Sequence, residues 1–408
     1  MAHLLPQIGV DTPPEVQARL RTLGRTEDVR LSPNGRRLAI ACYGGHGIAV
    51  GDVELERTPA GATASLTQLE LVASPLLREP HGLDWRDDET LVVANRAGGV
   101  AIVRLAGPGL DPTITLAEIS LDAPGSVALR PLDGERHELL VCENWRNEVA
   151  TLVLDEHGDL REAGPAQRAW LDLPDGLALS ADGRWLAVSN HNTHSVLVFD
   201  RRTGEDGDPA AVLRGVDYPH GVRFSADAGA LLVADAGAPH VHVFVRPTRE
   251  WSGASFPAAT VAVMDEATFL RGRHNPQEGG PKGIDLDSRT QVLLATCEEL
   301  GLAFFDAADL LDRPDRVGAD ADALLRHELE ALGAVARERH ETERERQETE
   351  RVRAELAAVL ATKAWRLTAP VRGLYGSLRR AAGRGRSPGG HPATAAEPSR
   401  REALDPSS

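Results

Sequence analysis

Cysteine is scarce in this chain, with three in 408 residues. A small, odd number of thiols builds no disulfide framework and suits a reducing compartment. Aromatic residues are thin at 4%, so stacking platforms for bases or sugars are few. Basic residues are outnumbered, 45 Lys and Arg against 61 Asp and Glu. The resulting net charge of −16 excludes general nucleic-acid binding by the body of the protein, because phosphate contacts draw on Lys and Arg. No apolar run reaches the roughly eighteen residues of a spanning helix. The opening MAHLLPQIGVDTPP has no basic n-region and no apolar h-region, so a cytoplasmic, non-secreted chain is expected. There is no nucleophile elbow, phosphate loop, dinucleotide fingerprint, CxxC pair or transferase domain.

What is present is an internal repeat. Six short segments read TEDVRL from Thr26, PHGLDW from Pro80, PGSVAL from Pro124, PDGLAL from Pro174, PHGVRF from Pro219 and PKGIDL from Pro281. Each is followed by an apolar partner ending at a polar residue or cysteine: Cys42, Asn95, Glu143, Asn190, Asp235 and Cys297. The starts lie 44 to 62 residues apart. That period predicts one four-stranded sheet per repeat, an all-β six-bladed propeller over 25–316. In the clearest copy, PDGLALS starts at a bend that glycine permits, SADGR turns a hairpin, WLAVSN is buried on both faces and SVLVFD alternates as a third strand. The last repeat lacks an outer strand, and His3 to Val10 within segment 1–24 is expected to fill that place and close the ring.

The innermost strand of each blade begins near the central channel, so the residue before the glycine is aimed at the axis. Those positions hold Glu27, His81, Gly125, Asp175, His220 and Lys282. A second ring is expected at the partner ends, with Asn95, Glu143, Asn190 and Asp235 as ligand-binding candidates beside Cys42 and Cys297. Two readings stay open. These groups bond channel waters and neighbouring backbone amides, or they form a concave polar site for a ligand. Two His, an Asp, a Glu and a Lys on one axis are costly unless paired or ligated. In a metal-free site His81 or His220 would be the general base and Lys282 would stabilise developing negative charge. Turn and surface roles are expected for His191, His194, His240 and His242. Cys42 and Cys297 are read as small buried hydrophobes, and Cys142 is expected to point into the sheet packing.

Over residues 25–312 the chain resembles six-bladed propellers of the NHL, gluconolactonase-like and YncE-like kind. That resemblance implies a divalent metal ion held at the blade 1, 4 and 5 positions, here Glu27, Asp175 and His220. Oxygen ligands with one imidazole suit Zn²⁺ or Mn²⁺ better than Ca²⁺. The chain departs from the gluconolactonase pattern around Glu27, which lacks a flanking Gly-Glu-Gly, and at Gly125, which offers no ligand. The implied alternatives in the channel are a metal-dependent lactonase or hydrolase and a His-dependent lyase.

After Gly318 the sequence changes character. DADALLRHELEALGAVA carries Leu325, Leu329 and Leu332 on one helical face, whereas Arg337 to Arg351 has no large apolar residue. A charged helical arm is expected over 317–366, acting as a spacer or holding a loose dimer at its ends. ATKAWRLTAPVRGL (361–374) resembles an element at the C-termini of many bacterial glycosyltransferases and methyltransferases of surface-polysaccharide synthesis, carried by Trp365, Arg366, Leu367, Thr368, Pro370 and Arg372. Between Lys363 and Arg386 there are seven basic residues and no acidic one. A basic amphipathic helix over 367–380 suits an anionic membrane surface or a partner protein, with 361–386 as the contact stretch. Residues 381–408 read as a disordered tail. The expectation is a binding or accessory propeller in cell-surface polysaccharide biosynthesis, peripheral on the inner membrane face, with glycan-biosynthesis proteins as partners.

Overall fold

In the computed structural model residues 3–333 are described apart from 106–110, 118, 165–166, 204–206 and 312–320, and beyond them only 349 and 352–353. Six sheets follow one another in chain order. Blade 4 shows the plan: Pro174–Leu179 is innermost, then Trp185–Asn190, Ser195–Asp200 and Ala211–Leu213, each antiparallel to the last. The inner strands of the other blades are Thr26–Leu31, Pro80–Asp87, Pro124–Pro131, Pro219–Phe224 and Gly283–Asp287. A recurrent turn sets the first hairpin. In blades 4 and 5 Ser180 and Ser225 donate to Asp182 and Asp227, and their hydroxyls accept from the N–H of Trp185 and Ala230 at 2.9 Å.

Buried side chains fall into six clusters, one between each pair of neighbouring blades. The one joining Val292, Leu294 and Phe304 of blade 6 to Val29, Leu38 and Ile40 of blade 1 closes the ring. Each fully buried Val, Leu or Phe contributes about 1.5–3 kcal/mol.

The glycine after the channel residue has a different reason from the one its sequence suggests. No positive φ is found at Gly82, Gly176, Gly221 or Gly283. Instead the inner strands converge. A Cβ at Gly176 would lie 1.9 Å from His220 O, and one at Gly221 would lie 2.4 Å from Lys282 O. In blades 1–5 the ladder also slips at this point, a bulge that turns the preceding side chain toward the axis.

The N-terminal segment takes the expected outer place of blade 6 only as a single antiparallel bridge, Gln7 to Phe305, and clamps the two neighbouring blades as well. His3–Leu4 runs parallel to Ala259–Ala262 of blade 5, Ile8 N–H donates to Phe304 O of blade 6 at 2.8 Å, and Val10–Asp11 runs parallel to the outer strand Gly61–Ala73 of blade 1. Pro6 has no N–H to donate, and the third strand of blade 6, Ala303–Asp306, is four residues long. Blade 4 gains an extra edge strand, Gly253–Ser255, lent from the segment before the outer strand of blade 5.

A helix over 321–333 packs on the side of the propeller. Leu332 is buried, with Leu325 and Leu329 beside it, against Leu177, Leu197 and Val212 of blade 4. Glu328 pairs with Arg214. The start of the expected arm is therefore docked, inside one compact unit spanning Met1–Arg337. Most of the arm and all of the 361–386 stretch lie outside the described residues. Among the described residues no helix is long and apolar enough to cross a membrane.

Candidate functional site

Five inner-strand residues expected at the axis meet at one channel mouth. Glu27, His81, Asp175, His220 and Lys282, from blades 1, 2, 4, 5 and 6, are 1–7% exposed. His220 Nε2 lies 3.0 Å from Asp175 Oδ2 and 3.3 Å from Glu27 Oε2. His81 Nε2 lies 3.6 Å from Glu27 Oε2 and 3.9 Å from Asp175 Oδ1. The two imidazoles stack with centroids 5.1 Å apart. Glycine at position 125 is what makes room, since a Cβ there would lie 2.3 Å from Asn144 Oδ1 and 2.9 Å from Asp175 Oδ1.

Neighbouring groups orient these side chains. His81 Nδ1 lies 2.9 Å from Gly125 O. A carbonyl only accepts, so Nδ1 carries the proton and the Nε2 lone pair faces the axis. Lys282 Nζ at 3.1 Å and the Arg25 guanidinium both hold Glu27 Oε1, which leaves Oε2 to face the imidazoles, 3.3 Å from His220 Nε2. Asp175 Oδ1 accepts from Asn144 Nδ2 at 3.0 Å and Arg96 Nη2 at 2.9 Å. Lys282 also pairs with Glu278 at 2.6 Å.

The protonation states follow. Burial, then Arg96, pushes His81 down to about 3, so it is neutral and a poor base. Burial also opposes charge on His220, but Asp175 and Glu27 override it and raise His220 to about 9. Burial would lift both carboxyls, yet Lys282 beside Glu27 and His220 beside Asp175 hold them well below the usual carboxylate range.

The expected second ring is directed elsewhere. Asn190 Oδ1 accepts from Asp172 N–H at 2.6 Å and its amide donates to Trp170 O. Asp235 accepts from Asp217 and Tyr218 N–H and from His242 Nε2 at 3.0 Å. Glu143 accepts from Asp122 N–H, and Asn95 reaches Leu76 O at 3.5 Å. These side chains hold the loops entering each blade. The groups turned to the mouth come one residue later: Tyr43, whose ring is 6.2 Å from that of His81, then Arg96, Asn144 and buried His191. Past a strand end alternation stops, so a one-residue offset changes which side chain faces inward.

His191 and His242 are buried, not on the surface. Residue His242 is held between Asp235 and Thr260 Oγ1. All three cysteines are free and buried, and burial pushes the Cys42 and Cys297 thiols up to about 11.

Three residues farther along the inner strands lies a second polar tier: Arg30, Asp84, Arg223 and Asp285, with Asp28 beside them; blades 3 and 4 carry Ala128 and Ala178 there. Each carboxylate accepts from the backbone of the next blade: Asp28 from Leu83 N–H at 3.1 Å, Asp84 from Leu129 N–H at 2.8 Å and Asp285 from Leu31 N–H at 2.7 Å. This tier ties blades together at the hub.

The fold and site define a six-bladed β-propeller with a charged, oriented channel mouth. Residues 5–127, spanning blades 1 and 2, match the family model described as the lipoprotein LpqB beta-propeller domain. Among solved structures the chain is similar to a functionally unknown protein from Desulfotomaculum acetoxidans DSM 771. The two are 14% identical over 73% of this chain and 86% of that one, with a TM-score of 0.45. No curated protein matches.

Proposed function

We propose that the channel mouth is a divalent-metal centre of the zinc or manganese class, held by Glu27, His81, Asp175 and His220, in a hydrolase acting on a small carbonyl substrate. The observation that carries it is the spacing of the donors. His220 Nε2 lies 3.0 Å from Asp175 Oδ2 and 3.3 Å from Glu27 Oε2, and His81 Nε2 lies 3.6 Å from the same Glu27 oxygen and 3.9 Å from Asp175 Oδ1. Ligands of a tetrahedral zinc with bonds near 2.1 Å stand about 3.4 Å apart. Among the described residues Glu27, His81 and His220 form a three-donor group whose ligand atoms lie within 4.8 Å of one another, with Asp175 beside it. The outer partners fit as well: Gly125 O fixes the His81 tautomer, Lys282 and Arg25 turn Glu27 Oε2 inward, and Asn144 orients Asp175. A metal of this class polarises a carbonyl and lowers the pKa of bound water. His220 gives up its proton to bind, so loading is favoured as pH rises.

The test is metal content after purification without chelator, for wild type, Asp175→Ala and His220→Ala. A stoichiometric transition metal in the wild type and little in either variant is expected. Trace metal in the wild type, or equal content in all three, sinks the reading.

A place in cell-surface polysaccharide assembly, peripheral at a membrane, rests on the Trp365–Pro370 motif and the basic stretch 361–386. The matched family model is named for a lipoprotein, which accords with it. Liposome flotation with and without 361–386 tests the membrane contact; equal binding by both forms removes it.

A further inference from the structure

We infer that the ligand of this mouth is an oxyanion, a carboxylate or phosphate group, and that Arg96 is the residue that binds it. The inference rests on the metal reading above and deepens it. Arg96 Nη2 lies 2.6 Å from His81 Nε2, the lone pair that a metal would take. Both cannot hold that lone pair, so loading frees Nη2 from His81. The Nε of the same guanidinium is buried and has no hydrogen-bond partner among the described residues. Nη2 keeps its bond to Asp175 Oδ1 at 2.9 Å, so loading frees its second N–H, which with the unpartnered Nε–H gives one planar fork two donors for an oxyanion.

The charges agree. A divalent ion with Glu27 and Asp175 as its two carboxylate ligands is neutral. Around it, joined by ion pairs, stand Arg25, Arg96 and Lys282 against Glu278 alone. The mouth of a chain with net charge −16 therefore carries two surplus positive charges. In a site whose lining is this buried, such a surplus is balanced by a bound anion. Asn144 adds selectivity, since its buried Oδ1 has no donor among the described residues and would accept from a hydroxyl beside the oxyanion.

The experiment titrates inorganic phosphate, and separately acetate, into full-length protein by calorimetry, after metal content is measured on each sample. Wild type, Arg96→Met and Arg96→Lys are compared. Arg96→Met is expected to load metal at least as well as wild type and to bind the tighter of the two anions at least tenfold more weakly; Arg96→Lys should fall between. Unchanged affinity in Arg96→Met, or no binding of either anion by metal-loaded wild type, overturns the inference. Should Arg96→Met not fold, Arg96→Lys decides: a threefold or larger loss at equal metal content supports it, and no loss overturns it. Wild type without metal that still binds an anion through Arg96 refutes the metal and keeps the oxyanion. Wild type that takes up neither refutes both.

Discussion

Arg223 of blade 5 reaches Asp28 of blade 1, Nη2 to Oδ1 at 3.0 Å, passing Asp285 of blade 6 at 3.5 Å. The pair bridges two blades that are not neighbours, at a depth where both side chains are 7% exposed. Removing one partner of a buried pair costs about 3–5 kcal/mol where no other charge compensates, but Arg30 Nε stays 3.8 Å from Asp28 Oδ2, so a loss of about 2 kcal/mol is expected. Arg223→Met should lower unfolding free energy by that order in urea. Adding Asp28→Asn should restore part of it. A loss under about 1 kcal/mol in the single variant would show the bridge to be dispensable.

The His220 imidazolium makes metal-free stability depend on pH. Its folded pKa is raised to about 9 from an unfolded value near 6.5. The stability it contributes is complete below about pH 6.5 and is lost as pH rises through about 9. In chelator, the melting temperature of wild type minus that of His220→Gln should shrink over this window. A difference constant from about pH 6 to 10 contradicts the assignment.

Gly221→Ala forces a Cβ to within 2.4 Å of the Lys282 carbonyl oxygen, and backbone does not yield as a flexible side chain does. The inner strands of blades 5 and 6 would have to part. We expect a loss of several kcal/mol, of the size seen for strongly overpacked cores, or insoluble protein. Near-wild-type melting would mean the strands are not so close.

Deleting residues 1–12 removes the clamp over blades 5, 6 and 1. Thermal stability should fall by many degrees, since the chain ends are no longer joined across the seam. An unchanged melting curve would show that the buried cluster of blades 6 and 1 closes the ring by itself.

The repeat made the inner strands legible, because each copy keeps an apolar alternation and a glycine demanded by close approach. From it the meeting of Glu27, His81, Asp175, His220 and Lys282 could be read before any coordinates. Arg96 and Asn144 could not, since the turns after Asn95 and Glu143 share no pattern and the inward side chain is set by where pairing stops. His242 was also hidden: its partner Asp235 belongs to the adjacent strand, and sequence distance says nothing of that register. The docking of 321–333 escaped notice for a related reason. Leu325, Leu329 and Leu332 announce an apolar face, but not the blade that covers it.

Glu27 and Lys282 stand 255 positions apart, one in the first blade and one at the start of the sixth. Their contact crosses the seam of the ring, so a growing polypeptide carries no working mouth until the sixth sheet has docked on the first. Products ending before the sixth sheet would lack the Lys282 that holds Glu27, so the contact itself reports that every blade has been made.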